Sequence, residues 1–155
     1  MKVANTINIR STPEKVFYWL EDPHRAKRWM TSVTKTEIIK ETSTMVGTTF
    51  REYIEENGRD TEMHGVVTEF VSNKKLAFHL EGQFNTVDVE FVLDEKDGIT
   101  TLTQNAKITF KGVLKVLSIF LSHFIKNKLV NQAQGEFAKL KELCERNVKY
   151  EDESR

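Results

Sequence analysis

The sequence predicts an α+β fold in which a seven-stranded antiparallel sheet is wrapped around one long C-terminal helix. From residue 112 to about residue 148, apolar residues recur at intervals of three and four, the spacing of one helix face, over a length of about 50 Å. From residue 3 to residue 110, short runs of alternating apolar and polar residues are separated by turn signals. That pattern is typical of strands with one buried face.

Length and charge limit the classes of function. A chain of 155 residues suits a single domain, predicted at residues 1–148, with a polar tail at 149–155 that is expected to fray. Lysine plus arginine and aspartate plus glutamate both number 23, so no net field attracts nucleic acid. The first residues lack the apolar core of a signal peptide, and no apolar run reaches the roughly 20 residues of a membrane span. We therefore expect a cytoplasmic protein without nucleic-acid partners or integral membrane association.

The N-terminal segment predicts one strand followed by two short helices. Residues 3–9 alternate apolar and polar side chains. Residues 11–14 supply a capping hydroxyl, a proline suited to the first helical turn and an acidic side chain, which together mark a helix start. Pro23 ends that helix, because the residue before a proline is pushed out of the helical conformation. A second short turn then delivers Trp29 and Met30.

Two turn dipeptides determine how the later strands pair. Asn57-Gly58 and Asp97-Gly98 both favour two-residue hairpins. Counting outward from these turns places one set of apolar side chains on a single inner face of the sheet. The opposite face carries mainly charged and hydroxyl side chains, as a solvated face does. The predicted inner face consists of Phe50, Ile54, Met63, Val67, Leu76, Phe78, Leu80, Val87, Val89, Phe91, Leu93, Leu102, Ala106, Ile108 and Phe110.

Three polar side chains, Glu52, Glu69 and Gln104, fall on this inner face by the same count. A carboxylate buried alone is costly, so Glu52 needs a partner, a water or a raised pKa. Glu52 is the candidate for a general acid/base or a ligand anchor; the alternative is a structural carboxylate at a wet cavity mouth or in an ion pair. Glu69 follows a break in the alternation, where a β-bulge would turn it outward. Gln104 either orients a ligand or hydrogen-bonds within the core.

The sequence contains no metal-binding or standard catalytic signature. The four histidines show no close ligand spacing, and the strand register places His64 and His79 on the solvated face. Cys144, the only cysteine, lies on the apolar stripe of the C-terminal helix and is predicted to be a small buried side chain. Phosphate-loop, dinucleotide-binding and nucleophile-elbow motifs are absent. We therefore expect neither a metal nor a cofactor.

The first half of the C-terminal helix is more apolar than one packed face requires. Nine of the thirteen positions at 113–125 are apolar, and Val116, Ile119 and Phe120 lie beyond the stripe that would face the sheet. One interpretation is that the short N-terminal helices, with Trp29, cover these side chains. The alternatives are a homodimer interface, a ligand gate or transient docking on a membrane surface.

The order of strands, helix caps and turns along the chain resembles that of a known superfamily. The segments that carry the resemblance are residues 11–17, 22–23, 29, 46–48, 67–70, 75–78, 98–103 and 140–143. In this order they resemble the SRPBCC superfamily, and within it the polyketide cyclase/dehydrase group of START-like, helix-grip domains. The resemblance implies two short helices after the first strand and a cavity between the sheet and the long helix. Such cavities are expected to receive lipids, sterols, polyketides or other apolar small molecules.

Three functional hypotheses follow from these observations. The favoured one is a protein that binds an apolar small molecule between the sheet and the C-terminal helix. The second is a cofactor-independent cyclase or dehydratase in which Glu52 transfers a proton. The third is an interaction module that uses helix residues 113–125. The predicted ligand-binding residues are Trp29, Met30, Phe50, Glu52, Phe78, Phe91, Gln104, Phe110, Leu117, Phe120, Leu121 and Phe124.

Overall fold

One antiparallel sheet of seven strands, followed by a long helix, forms the framework of the molecule. The computed structural model describes residues 1–56 and 58–146. The elements are β1 (Lys2–Ile9), α1 (Pro13–Glu21), α2 (Pro23–Ala26), β2 (Val33–Lys40), β3 (Thr49–Glu56), β4 (Arg59–Val71), β5 (Lys75–Glu81), β6 (Asn85–Lys96), β7 (Ile99–Phe110) and α3 (Gly112–Glu145). The predicted fold class is confirmed. The predicted helix end near residue 148 and the tail at 149–155 lie outside the described residues.

The strands are arranged in the order β1-β7-β6-β5-β4-β3-β2. The β6–β7 hairpin turns at Asp97 and Gly98, whose φ angles of 54° and 76° are those of a tight two-residue turn. Across this hairpin Phe91 faces Gln104, as the dipeptide count predicts. Asn57, in the other predicted hairpin turn, lies outside the described residues, and the strands on either side of it pair in the predicted register.

The inner face of the sheet is apolar and largely buried, as predicted. Each large apolar side chain taken out of water contributes roughly 1.5–3 kcal/mol to folding. The buried members of the predicted set are Phe50, Met63, Val67, Leu76, Leu80, Val89, Phe91, Leu93, Leu102 and Ile108. The sheet therefore needs a cover over most of its inner face.

A β-bulge in β4 determines the position of Glu69. The register of β4 against β5 shifts between Val67 and Glu69. The carboxylate of Glu69 is exposed and lies 2.9 Å from the Nζ atom of Lys75. The predicted bulge is confirmed, and it removes Glu69 from the inner face.

Helices α1 and α2, with the Trp29 side chain, cover part of the inner face. Asp22 Oδ1 caps α2 by accepting hydrogen bonds from two backbone N–H groups of its first turn. Trp29 is 1% exposed, and its ring centroid lies 6.2 Å from that of Phe91 and 6.3 Å from that of Phe137. Its Nε1 donates a hydrogen bond of 2.8 Å to the carbonyl of Trp19. Trp29 therefore joins the sheet, α1 and α3.

The second half of α3 packs against the rest of the core. Phe137, Leu140 and Cys144 recur at helical spacing and are fully or almost fully buried. Burial raises the pKa of the Cys144 thiol to about 12, so this side chain is a neutral, unreactive core group. The prediction of a small buried cysteine is confirmed.

The first half of α3 does not cover the sheet. Val116, Ile119 and Phe120 are all exposed, with Phe120 at 81%. The prediction that the apolar stripe packs along the whole helix is wrong here, since the buried residues of α3 begin at Glu136. The interpretation that the N-terminal helices cover Val116, Ile119 and Phe120 is likewise wrong. Spacings of three and four keep neighbours together but do not keep one face over 34 residues.

Gly65 on β4 allows the ring of Phe50 to lie against the sheet. A Cβ atom at position 65 would stand only 2.3 Å from the nearest ring atom. We predict that Gly65→Ala lowers the free energy of unfolding by about 1–3 kcal/mol, measured by urea denaturation, because the ring must move.

The matched control is Gly135→Ala on α3. A Cβ there meets nothing within 4 Å, so alanine should stabilise the helix by about 0.5–1 kcal/mol. Stability that is unchanged or raised in Gly65→Ala would contradict the close approach of the Phe50 ring.

Candidate functional site

A cavity lies between the inner face of the sheet and helices α1 and α2. Its volume is about 80 Å³. One ordered water needs roughly 10–15 Å³, and a cavity of about 150 Å³ holds benzene, so this space admits several waters or one small apolar group. The lining residues are Leu20, Glu21, Pro23, Ala26, Lys27, Trp29, Met30, Val33, Thr36, Ile38, Met45, Thr48, Phe50, Glu52, Val67, Leu76, Phe78 and Phe91.

The cavity opens to solvent between α2 and strand β2. Lys27, which caps the end of α2, and Ile38, on β2, both line the cavity and are exposed. Most of the other lining side chains are buried or half-buried. A molecule that entered the cavity would therefore pass beside Lys27 and Ile38.

Aromatic rings form the inner wall of the cavity. The ring centroids of Phe50 and Phe78 are 5.8 Å apart, with the rings nearly perpendicular. The ring of Phe78 is 6.2 Å from that of Phe91, which in turn contacts Trp29. Edge-to-face contacts of this kind stabilise the packed rings by more than the burial of their surface alone. The wall is therefore apolar and held in place by the core.

Glu52 brings a carboxyl group to this apolar wall. It lies on β3 between Thr36 and Met63 of the neighbouring strands and is 8% exposed. Burial raises the pKa of the Glu52 carboxyl to about 7, and the nearby charge of Glu136 adds to the rise. Within residues 1–56 and 58–146, no other group hydrogen-bonds to this carboxyl. Near neutral pH, Glu52 can therefore give up or accept a proton.

Glu136, on α3, is a second buried carboxylate, at 7% exposure, and lies close enough to Glu52 to raise the pKa of Glu52. Its Oε1 accepts hydrogen bonds from the backbone N–H of Thr31 at 2.9 Å and of Ser32 at 3.3 Å. Both hydroxyls and the side-chain amide of Gln132 also donate to it. Charge-assisted hydrogen bonds of this kind stabilise a carboxylate. Glu136 therefore ties α3 to the segment before β2.

Sequence reasoning missed Glu136. It stands three residues after Ala133 and four before Leu140, and this spacing places it on the buried side of the helix. A charged residue inside an apolar stripe was the available signal. Its proximity to Glu52 depends on how α3 lies on the sheet, which periodicity does not report.

The contribution of β2 to the cavity was also missed. Thr36 faces Glu52 and Ile38 faces Phe50 across the β2–β3 pair. The connection between these strands, residues 41–48, is longer than a two-residue hairpin, so no turn dipeptide indicates the register. The register of β2 against β3 could therefore not be derived from the sequence by counting outward from a turn.

The structure brings together half of the predicted ligand-binding residues. Those at the cavity are Trp29, Met30, Phe50, Glu52, Phe78 and Phe91. Those outside its lining are Gln104 and Phe110 on β7, and Leu117, Phe120, Leu121 and Phe124 on α3. The predicted location between the sheet and the first half of α3 is therefore corrected: the cavity lies against α1 and α2, because α3 does not cover this part of the sheet. Ligand binding by the first group stays a prediction.

The described part of the chain offers no cluster of three or more His, Cys, Asp or Glu side chains that could hold a metal ion. His64 and His79 lie on the outer face, as predicted. His79 Nδ1 lies 2.6 Å from the carboxylate of Asp88, and this hydrogen bond raises the pKa of His79. Neither histidine lines the cavity.

We predict that Glu52→Gln stabilises the protein at pH 8 and has little effect near pH 4. The folded-state pKa of Glu52, about 7, lies above its ordinary value of 4.5, so the folded protein binds a proton that the unfolded chain does not. Wild-type stability therefore falls as the pH rises from 4.5 through 7. Glutamine is neutral at every pH, so the variant does not lose this stability. In urea denaturation at pH 8, its free energy of unfolding should exceed that of the wild type by about 3 kcal/mol.

The control for this pH dependence is Glu55→Gln, at an exposed position on the same strand. It should change the free energy of unfolding by less than about 0.5 kcal/mol at either pH. An effect of Glu52→Gln that is equal at pH 4 and pH 8 would show that its carboxyl is not desolvated.

Solved structures with similar folds agree with this architecture. The protein TTHA0849 from Thermus thermophilus has a TM-score of 0.78 at 15% identity, with 93% of this chain and 97% of that chain covered. Zhui aromatase/cyclase from Streptomyces sp. R1128 has a TM-score of 0.79 at 12% identity, with 97% of each chain covered. The di-domain ARO/CYC StfQ from the steffimycin biosynthetic pathway has a TM-score of 0.73 at 10% identity, with 93% of this chain and 50% of that chain covered. At these identities the similarity shows the fold alone.

The match to a protein family is broader evidence than any single structure. No curated protein sequence matches the chain. The model of one family, described as polyketide cyclase / dehydrase and lipid transport, matches residues 1–145. This match confirms the resemblance inferred from the order of motifs. Because it covers nearly the whole sequence, the chain belongs to the polyketide cyclase / dehydrase and lipid transport family.

Proposed function

We propose that this protein binds an apolar small molecule in the cavity between the sheet and helices α1 and α2. The observation that carries the proposal is the aromatic wall of Phe50, Phe78 and Phe91 around the buried carboxyl of Glu52. Concave sites that are mainly apolar, with a few polar groups to fix orientation, are those that bind small molecules. The family description, which includes lipid transport, and the aromatase/cyclase name of Zhui support the same class of ligand.

The size of the cavity limits how much of a ligand it encloses. Its volume of about 80 Å³ is roughly half that of a cavity that binds benzene. A ligand therefore inserts a short aliphatic end or the edge of a ring, and the rest extends past Lys27 and Ile38 toward solvent. A larger molecule requires α2 to move outward.

The two carboxyl groups limit the chemistry of the inserted end. A protonated Glu52 donates a hydrogen bond to a carbonyl oxygen, and an ionised one accepts from a hydroxyl. The charge of Glu136, which contributes to the raised pKa of Glu52, also disfavours an anionic ligand group at this position. The proposed ligand is thus neutral and apolar, with a carbonyl or hydroxyl group at its buried end.

We predict that native mass spectrometry of protein purified from cell extract detects a retained neutral apolar molecule. Ala26→Leu adds three carbons inside the cavity and should lower the retained fraction tenfold or more, equivalent to about 1.4 kcal/mol. The matched control, Ala138→Leu, makes the same change at an exposed position of α3 and should leave retention unchanged.

Thermal unfolding establishes that both leucine variants are folded before their retention is compared. The proposal fails if wild-type protein carries no apolar molecule and gains none on incubation with a lipid extract of the same cells. It also fails if Ala26→Leu and Ala138→Leu retain the molecule equally.

A second function, proton transfer to a bound substrate, is favoured by the placement of Glu52 beside Glu136. General acid/base catalysis works best when the pKa of the catalytic group is near the working pH, and Glu52, with a pKa of about 7, meets this condition. In a dehydration, Glu52 would take a proton from the carbon next to a carbonyl group and return it to the departing hydroxyl. The apolar wall would keep water from the reacting carbon. This reaction needs no cofactor.

We predict that Glu52→Gln lowers turnover of an aryl β-hydroxyketone by about 10²–10⁴-fold while leaving its affinity nearly unchanged. Turnover by the wild type should rise with pH through about 7, because the ionised carboxyl is the base. Substrate loss is followed by liquid chromatography, and affinity by calorimetry. Glu55→Gln, exposed on the same strand, should retain full turnover. A ligand that binds but is not converted by wild type would reject catalysis and leave the binding proposal in place.

A further inference from the structure

The first half of α3 turns its apolar face toward solvent. Val113, Phe120 and Phe124 are 76%, 81% and 71% exposed, and their spacing of seven and four residues places them along one line of the helix. Ser118, two positions from Phe120 and therefore almost opposite it, is less exposed. Its hydroxyl donates to the helix carbonyl of Lys115. Leu114, at 38%, and the half-buried Ile125 lie on the same side as Ser118, so the first half of α3 is apolar toward the molecule and toward solvent alike, unlike an ordinary surface helix.

The stretch of sequence that contains this apolar face carries positive charges only. Residues 98–135 contain no aspartate or glutamate, although the whole chain has a formal net charge of zero. Lys115, Lys126 and Lys128 are exposed, and they make no ion pair with any residue at 1–56 or 58–146. The lysines of this segment are Lys107, Lys111, Lys115, Lys126 and Lys128.

We propose that the first half of α3 docks on the surface of an anionic lipid bilayer. A helix with a broad apolar face, and with lysines at the edge of that face and on the opposite side, lies in the plane of the interface, with its apolar side chains about 5–10 Å deep. The long lysine side chains then reach back to the phosphate groups. This helix lies on the bilayer and does not cross it, since no helix within the described residues is long and apolar enough to span.

The start of α3 extends the same surface. Phe84, on the turn between β5 and β6, is half-exposed, and its carbonyl accepts a hydrogen bond of 2.8 Å from the backbone N–H of Lys111. The Lys111 side chain pairs with Glu81 and with the carbonyl of Gly82, which holds this turn beside the helix. Phe84 therefore adds a large apolar side chain next to the first turn of α3.

Charge favours a lipid surface over a second copy of this chain. If two copies met through this face, Lys128, one helical turn after Phe124, would approach its counterpart, with no carboxylate between residues 98 and 135 to oppose it. Like charges brought together destabilise an interface. Anionic phospholipids supply the missing countercharge at about the depth where lysine ends lie.

Flotation with lipid vesicles tests the proposal. Wild-type protein should bind vesicles of phosphatidylcholine with one third phosphatidylserine at least tenfold more tightly than vesicles of phosphatidylcholine alone. Replacing one of the three exposed lysines with glutamine should weaken binding by roughly fivefold. The double variant Phe120→Ser/Phe124→Ser should bind the anionic vesicles at least tenfold more weakly than the wild type. Val71→Ser removes an exposed apolar side chain from β4 and should bind like the wild type.

The competing explanations give different results. Equal binding to neutral and anionic vesicles, or binding that survives Phe120→Ser/Phe124→Ser in folded protein, would overturn the proposal. A wild-type dimer in sedimentation that Val116→Ser or Ile119→Ser dissociates, together with no vesicle binding, would assign the face to a second copy instead. Phe120 and Phe124 are exposed, so their replacement should leave thermal unfolding unchanged.

Discussion

The packing of Trp29 on the inner face of the sheet determines how the remaining elements are arranged. Its ring contacts Phe91 on β6 and Phe137 on α3, and its Nε1 donates to the carbonyl of Trp19 on α1. A buried indole with a satisfied N–H is among the largest single contributions to a core of this size. Helix α3 packs on this core through its second half, where Phe137, Leu140 and Cys144 are buried. The cavity is the space that remains between Trp29 and strands β2–β6.

Two buried carboxylates have different roles in this arrangement. Glu136 is surrounded by donors from Thr31, Ser32 and Gln132, so its charge helps hold α3 on the segment before β2. Glu52 has no such donors within the described residues, and its pKa is raised because the site resists its ionisation. At neutral pH the carboxyl of Glu52 therefore destabilises the fold, whereas glutamine of similar size would not. A carboxyl group that lowers stability and lies beside an aromatic wall is the physical reason to expect that Glu52 acts on a bound ligand.

Much of the sheet could be predicted because strand pairing depends on local signals. The turn dipeptides and the alternation of side chains are enough to place Phe91 opposite Gln104 and to expect the bulge that turns Glu69 outward. The cavity was harder to predict, because its position depends on which element covers which part of the sheet. Amphipathic periodicity shows that α3 needs a partner, but it does not show which part of the sheet each half of the helix covers. For the same reason Glu52 could be selected from the sequence, whereas its neighbour Glu136 could not.

The two halves of α3 present apolar faces in different directions. Counting 100° per residue, the outward set of Val113, Phe120 and Phe124 lies about 150° around the helix from the buried set of Phe137, Leu140 and Cys144. A single straight helix cannot bury both sets against the same sheet: rotation that buries Phe120 would expose the core side chains of the second half. The order of apolar residues along α3 therefore determines that one of the two faces is exposed. A fold that anchors this helix by its second half leaves the apolar face of the first half uncovered by residues 1–56 and 58–146.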